Sequence, residues 1–93
     1  MRERDIEKRL VCRVREMGGE VYKWVSPGNS GVPDRIVMLP GGRVIFVELK
    51  TDGNTPTPVQ RAQMKRIRKT GCRVELIRGM DELEEFLHEV RTA

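Results

Sequence analysis

The sequence predicts an α/β fold in which helices flank a mixed four-stranded sheet, in the chain order αβββαβα. Three observations support this prediction. Apolar residues recur at helical spacing near the N-terminus, two apolar runs flank a Gly-Gly pair, and a later strand, helix and strand follow one another. The hairpin requires antiparallel pairing, whereas the strand–helix–strand unit favours a parallel, right-handed crossover, so both strand directions are expected in one sheet.

The first helix is predicted over residues 3–17, because its apolar side chains fall on one stripe. The stripe consists of Ile6, Leu10, Val14 and Met17. Gly18-Gly19 ends the helix. A strand is predicted at residues 20–25, and a turn-rich loop follows at residues 26–33.

A hairpin is predicted next, from strands at residues 35–39 and 43–50. Pro40-Gly41-Gly42 joins the two strands, and a Gly-Gly pair favours the tight turns that match the twist of a hairpin.

The second helix is predicted from Pro58 to about Thr70. Thr57 is a good N-cap, proline suits the first helical position, and Gln60 completes a capping box. A fourth strand at residues 73–77 and a last helix at residues 81–91 complete the fold. The apolar face of the last helix consists of Leu83, Phe86, Leu87 and Val90.

Length and composition predict one small domain over residues 1–93, with 34% charged and 38% hydrophobic residues. The net charge of +4 is compatible with a polyanionic partner but does not identify one. Cys12 and Cys72, with a single histidine, lack the spacing of a metal site and are expected to be reduced thiols in a cytoplasmic protein. No apolar run is long enough to span a membrane, and the polar N-terminus does not resemble a signal peptide.

Polar residues interrupt the hairpin near its open end. Along residues 43–50, Glu48 and Lys50 share one face with Val44 and Phe46, about 6 to 7 Å apart. Counting back from the turn places Asp34 near Glu48 or Lys50, within a residue or two of register. The three groups are therefore expected to converge.

The helices add two further candidates. Glu3 lies about 25° from the centre of the apolar stripe of the first helix and Glu7 about 60° from it, so Glu3 points more directly towards what the helix covers. Gln60 falls on the inward face of the second helix and can reach the same region while capping the helix.

Carboxylates held together repel one another and lose hydration, and a divalent cation relieves both effects. Hard oxygen ligands suit Mg²⁺ or Mn²⁺, and the backbone carbonyl of Leu49 is a further possible ligand. Lys50 could then orient a water molecule or stabilise charge on a phosphoryl group. Each residue also has an ordinary explanation: a turn residue for Asp34, an exposed strand pair for Glu48 and Lys50, and a helix-dipole acid for Glu3.

Pro33-Asp34 followed by Glu48-Leu49-Lys50 resembles the signature of the PD-(D/E)xK, or restriction-endonuclease-like, nucleases. The finer pattern is similar to the VRR-NUC branch of that superfamily and spans roughly residues 3–77. The matching segments are Glu3 with Ile6 and Leu10, residues 31–35, Gly42-Arg43, residues 47–50 and Pro58-Val59-Gln60. Compact stand-alone members of this kind resemble phage or bacterial proteins.

The resemblance implies an αβββαβ core and Mg²⁺- or Mn²⁺-dependent hydrolysis of phosphodiester bonds. Carried over by position, Asp34 and Glu48 would bind metal, Lys50 would be the catalytic lysine, and Gln60 would support the site. Glu3 would be the acidic residue of the first helix. An alignment with archaeal Holliday junction resolvases places that acid at Glu7 instead.

The family resemblance further implies a homodimer that cuts branched DNA such as a four-way junction, in a bacterial or phage-infected cytoplasm. A flap or nicking nuclease and a non-catalytic DNA-binding module on the same fold remain alternatives. With two Phe, one Tyr and one Trp, the chain lacks an aromatic platform for single strands, which favours recognition of the duplex backbone. The candidates for phosphate contacts are Arg2, Arg4, Lys8, Arg9, Lys23, Arg35, Arg61, Lys65 and Arg68.

Overall fold

The computed structural model describes residues 2–92, except for the side chain of Thr92. Three helices and four strands follow the predicted order, with a C-terminal helix after the αβββαβ core, so the predicted fold class is confirmed. The elements are α1 (Glu3–Glu16), β1 (Glu20–Lys23), β2 (Arg35–Leu39), β3 (Arg43–Lys50), α2 (Pro58–Lys69), β4 (Arg73–Arg78) and α3 (Gly79–Thr92).

The sheet has the strand order β1-β2-β3-β4. The first three strands are antiparallel, with Lys23 opposite Arg35 and Arg35 opposite Val47. β4 pairs with β3 in parallel, and Lys50 lies opposite Arg78. The mixed sheet places the ends of β3 and β4 and the start of β2 at one edge, where the polar residues lie.

Helices α1 and α3 cover one face of the sheet and form the main core with it. Ile6, Leu10 and Val14 of α1 are fully buried. They pack in one cluster with the inward residues of the strands and with the apolar face of α3. The side chains at alternate positions of β3 that join this cluster are Ile45, Val47 and Leu49. Apolar burial of this kind stabilises a small domain by about 25 cal/mol for each Å² removed from water.

Helix α2 contacts β4 on the opposite face. Met64 and Val74 are buried there, outside the main cluster. The rest of this face is more open, since Tyr22 is 57% and Val44 46% exposed. The rings of Trp24 and Phe46 lie on it with centroids 5.0 Å apart. From the sequence, four apolar residues could form an exposed interface or simply part of the core: Trp24, Val25, Met38 and Leu39. Leu39 is a core residue, 4% exposed.

Two element boundaries differ from the prediction by two residues, and the others differ by at most one. β1 ends at Lys23 rather than at residue 25, although the N–H of Trp24 still donates to the carbonyl of Asp34 at 2.9 Å. One step further, the register sets Val25 opposite Pro33, which is a non-hydrogen-bonded pair because Trp24 and Asp34 are a hydrogen-bonded one. α3 begins at Gly79 rather than at residue 81, and the Glu82 carboxylate accepts the N–H of Arg78 at 2.8 Å just before this start.

Among residues 2–92, no helix is both long enough and apolar enough to cross a membrane. Cys12 and Cys72 are free and exposed.

Candidate active site

Asp34 immediately precedes β2 at the polar edge of the sheet. Because Arg35 pairs with Val47, the same register continued by one residue sets Asp34 opposite Glu48. Asp34 Oδ1 is buried and has no hydrogen-bond partner among the described residues. An unpaired buried oxygen of this kind is uncommon, because burial without a partner is unfavourable.

Glu48 is the charged residue that the structure buries most completely in the part of the chain it describes, at 3% exposure. Its Oε2 lies 3.5 Å from Lys50 Nζ and 3.4 Å from Gln60 Nε2. The alternation of β3 therefore places the Glu48 and Lys50 side chains on the face that α2 covers, as the sequence predicts. Asp34, Glu48, Lys50 and Gln60 come together at this edge.

Burial controls the ionisation of the two carboxylates. Loss of hydration, together with the negative charge of Asp34, raises the pKa of Glu48 to about 7, although Lys50 partly offsets both effects. Loss of hydration also raises the pKa of Asp34, against the opposing influence of Arg35, the backbone N–H of Leu49 and Lys50. Shifted carboxylates that share one site are typical of functional sites rather than of ordinary ion pairs.

Gln60 connects the start of α2 to the site through both ends of its amide. Its Oε1 accepts the backbone N–H of Thr57 at 2.9 Å, while its own backbone N–H donates to Thr57 Oγ1 at 3.2 Å. Since Oε1 is used in this capping box, the amide nitrogen faces Glu48. Gln60 therefore caps the helix and contacts the carboxylate at once, as its position on the inward face predicts.

Gly31 fixes the distance between the loop before Asp34 and α2, which the sequence did not reveal. It has a φ of +84°, and a Cβ at this position would lie 2.7 Å from Val59 Cγ1 and 3.1 Å from the backbone nitrogen of Gln60. Gln63 Nε2 also donates to the carbonyl of Ser30 at 3.1 Å. A side chain at residue 31 would separate the loop from the helix that presents Gln60.

Glu3 and Glu7 have different partners. Glu7 forms an ion pair with Arg35, whose side chain is 12% exposed and also lies 3.4 Å from Asp34 Oδ2. Glu3 is close enough to Glu48 for its charge to raise the pKa of Glu48. Arg35, a candidate for phosphate contact, is thus held inside the protein by two carboxylates.

The residues present fit a divalent cation, by two observations. Asp34 Oδ1 is a buried acceptor without a donor, and Asp34 and Glu48 disfavour each other's charge at close range. Hard oxygen donors of this kind suit Mg²⁺ or Mn²⁺. Within residues 2–92, however, no three His, Cys, Asp or Glu side chains converge in a metal-binding arrangement. Glu3 therefore does not join the pair as a third ligand in this structure.

Comparison with known proteins identifies the family behind this geometry. The sequence profile of the VRR-NUC domain family matches residues 3–81. This chain belongs to the VRR-NUC family. The VRR-NUC nucleases share the mixed sheet and helices described above, and the chain is accordingly a nuclease.

Individual relatives and solved structures agree with this assignment. A protein named "Putative nuclease p44", from Acyrthosiphon pisum secondary endosymbiont phage 1, is 49% identical over 81 residues, which cover 87% of this chain and 87% of that protein. A solved structure described as "VRR_NUC domain" is 36% identical, with a TM-score of 0.86 and coverage of 92% of this chain and 94% of the other. A second, "VRR_NUC domain protein", has a TM-score of 0.73, 16% identity and coverage of 95% and 86%, and shows the shared fold.

Proposed function

We propose that this VRR-NUC nuclease is a Mg²⁺- or Mn²⁺-dependent endonuclease that cuts branched DNA, with four-way junctions as its preferred substrate. The observation that carries the proposal is the pair of carboxylates Asp34, which is partly buried, and Glu48, which is buried, with an unpaired buried oxygen on the first and Lys50 Nζ 3.5 Å from the second. Burying such a group is unfavourable unless a ligand compensates for it.

In this proposal Asp34, Glu48 and the backbone carbonyl of Leu49 would hold the metal ion. A bound Mg²⁺ or Mn²⁺ polarises a phosphoryl oxygen and lowers the pKa of a water molecule. Glu3, as the acid of α1, adds negative charge at longer range, and its influence on Glu48 together with the Glu7–Arg35 ion pair favours Glu3 over Glu7 for this role.

The remaining groups act on the substrate and on the carboxylates. Lys50 presents an ammonium group beside Glu48 that stabilises negative charge building on the phosphate in the transition state. Gln60 donates to Glu48 and holds its carboxylate in one orientation. The catalytic residues of the proposal are therefore Glu3, Asp34, Glu48, Lys50 and Gln60.

A homodimer is part of the proposal, because paired cuts on a symmetric junction require two symmetric sites. The open part of the α2 face supports it, because residues 2–92 leave an apolar surface on and beside β1 and β3 incompletely covered. This surface consists of Tyr22, Trp24, Val44 and Phe46. This surface adjoins the edge that carries Asp34 and Glu48.

The test is cleavage of a labelled four-way junction, compared with linear duplex, a flap and single-stranded DNA, each with Mg²⁺, Mn²⁺ or EDTA. Wild type should introduce paired nicks in the junction with either metal and none with EDTA. Asp34→Asn should abolish cleavage, whereas Asp81→Asn, an exposed acid on α3, should not.

Three results would change the proposal. Cleavage of the flap or the linear duplex in preference to the junction would retain the nuclease and reject junction selectivity. Cleavage in EDTA would reject metal dependence. Binding to every DNA without cleavage in either metal would support the non-catalytic module instead.

A further inference from the structure

We propose that the outward face of α2 is the surface along which the backbone of duplex DNA lies as it enters the active site. This surface, called the α2 track below, consists of Arg61, Lys65, Arg66, Arg68 and Lys69, all exposed. The inference rests on the proposed function, because it assigns the DNA contact for that same site.

The charge along this part of the chain is entirely positive. From Gly53 to Val74 there is no Asp or Glu, and the five cations of the α2 track lie within one 12-residue helix. Because α2 contains no carboxylate, its cations have no ion-pair partner one helical turn away. A concentrated positive surface raises the local concentration of DNA and speeds its association.

The cations of the α2 track are free of carboxylates. Within residues 2–92, the side chains of Lys65, Arg66 and Lys69 form no hydrogen bond or ion pair. Arg61 and Arg68 donate to the neutral carbonyls of Pro56 and Val74, which orient the guanidinium groups without cancelling their charge. All five charges therefore remain available to phosphates.

On the opposite face of the molecule, by contrast, arginine side chains are paired with carboxylates. On α1, Arg9 pairs with Glu84, Arg13 with Glu16 and Arg15 with Glu20. α3, which packs beside α1, carries five acidic residues: Asp81, Glu82, Glu84, Glu85 and Glu89. Although α1 contains four arginines and α2 three, three of the four on α1 are paired with carboxylates. The net charge of the protein is thus concentrated on the face to which Glu48 and Lys50 point.

The position of α2 connects the track to the chemistry. Gln60, in the first turn, contacts Glu48, and Arg61 follows it directly. A helix of this length extends about 18 Å, which corresponds to about five base pairs along the axis of B-DNA. A backbone following the α2 track therefore leads to Asp34 and Glu48 rather than away from them.

The chemistry of the α2 track identifies its ligand as phosphate groups rather than bases. The five residues are flexible cations, and α2 contains no aromatic side chain on which a base could stack. Contacts of this kind position a duplex without reading its sequence.

The test measures DNA binding in EDTA, so that it does not depend on cleavage. A labelled duplex of about 20 base pairs is titrated by fluorescence anisotropy at several salt concentrations, with wild type, Lys65→Gln/Lys69→Gln and the matched control Arg13→Gln/Arg15→Gln. Removing two phosphate contacts should reduce the slope of log K against log salt by about two and weaken binding by about tenfold or more near 0.1 M salt. The control removes the same charge from ion-paired residues and should change the slope by less than half as much.

Lys65→Arg/Lys69→Arg, which keeps the charge, should restore the wild-type slope. Equal losses in the α2 and α1 variants would overturn the inference, because the effect would then follow net charge alone. The same variants in the cleavage assay separate this inference from the proposed function. If Lys65→Gln/Lys69→Gln keeps the wild-type salt dependence while wild type cleaves DNA, the α2 track is rejected and the nuclease is retained. If the variant has a reduced slope but wild type does not cleave DNA, the α2 track is retained and the nuclease is rejected.

Discussion

Glu48 lies where water is excluded, so ionising it in the metal-free protein is unfavourable. The folded protein keeps the Glu48 proton up to a pKa of about 7, whereas the carboxyl group of an unfolded chain releases it near its ordinary value of 4.5. Between these values the folded state binds more protons than the unfolded state. Stability therefore falls as the pH rises through this interval.

We expect the Glu48 carboxyl to reduce the free energy of unfolding by about 2 to 3 kcal/mol between pH 5 and pH 8 in EDTA. Glu48→Gln, which has no such proton to release, should lose most of this pH dependence, and Glu85→Gln on the exposed surface of α3 should retain it. Urea unfolding at the two pH values measures the difference. A Glu48→Gln variant as pH-dependent as wild type would contradict the assigned environment.

Lys50 and Arg78 are neighbouring cations with different surroundings. They lie opposite each other in the β3–β4 register, but Lys50 contacts Glu48 and Arg78 pairs with Glu82 at the surface. If the Lys50 ammonium group stabilises the transition state, Lys50→Gln should reduce the cleavage rate by about a hundredfold or more. Arg78→Gln should stay within a few-fold of wild type.

Single-turnover cleavage in Mg²⁺ and DNA binding in EDTA test this prediction together. Lys50→Gln should bind DNA nearly as tightly as wild type while cutting slowly. A loss of binding equal to the loss of cleavage would assign Lys50 to substrate binding instead of catalysis.

At the scale of elements, the loop before β2 and the start of α2 must touch for the site to form. Gly31 permits this contact because it combines a positive φ with the absence of a Cβ. Gly28, in the same loop, has nearly the same φ of +81°, but no atom lies within 4 Å of the point that a Cβ would occupy there. Comparing substitutions of Gly28 and Gly31 therefore distinguishes the cost of backbone strain from the cost of steric overlap.

Gly31→Ala should destabilise the protein by more than Gly28→Ala, which should show only the left-handed strain of about 1 kcal/mol. Gly31→Ala should also slow cleavage, because displacement of α2 moves Gln60 away from Glu48. Thermal unfolding and the cleavage rate measure the two effects. Equal effects of the two substitutions would show that the contact with Val59 and Gln60 is unimportant.

At the scale of the whole molecule, the open apolar surface on β1 and β3 is the proposed dimer interface. Val44 lies on it at 46% exposure, whereas Val59, at 52% exposure, lies on α2. If a second copy covers this surface, a charge introduced there would be buried without a partner and would weaken the dimer.

Val44→Glu should therefore sediment with the 10.7 kDa mass of the monomer, while wild type and Val59→Glu should have about twice that mass. Sedimentation velocity over a range of protein concentrations gives the result. A monomeric wild type would reject the homodimer, and a dimeric Val44→Glu would place the interface elsewhere.

The distribution of charge is also a property of the whole molecule. The sequence shows an acid-free segment around α2 and an acid-rich segment at α3, but not that they lie on opposite faces. Only the packing of α1 against α3, and of α2 against the other face of β4, separates the two charges in space. This separation leaves α2 positive beside Glu48.

Patterns along the chain were enough to predict the order of the elements and that most of the candidate site residues lie close together. Helical and alternating periodicities depend on neighbours in the sequence, so they predicted α1, the hairpin and the shared face of Glu48 and Lys50. Local chemistry also predicted the Thr57–Gln60 capping box. These features need no information on distant contacts.

Features that depend on contacts between distant residues emerged only in the folded chain. Folding paired Glu7 with Arg35, brought Gly31 against Val59, and buried Glu48 deeply enough to change its ionisation. It also ended β1 at Lys23, two residues before the predicted end. Desolvation and close approach depend on residues that are distant in the sequence. A local pattern does not include those residues, so no single stretch of the sequence could predict either effect.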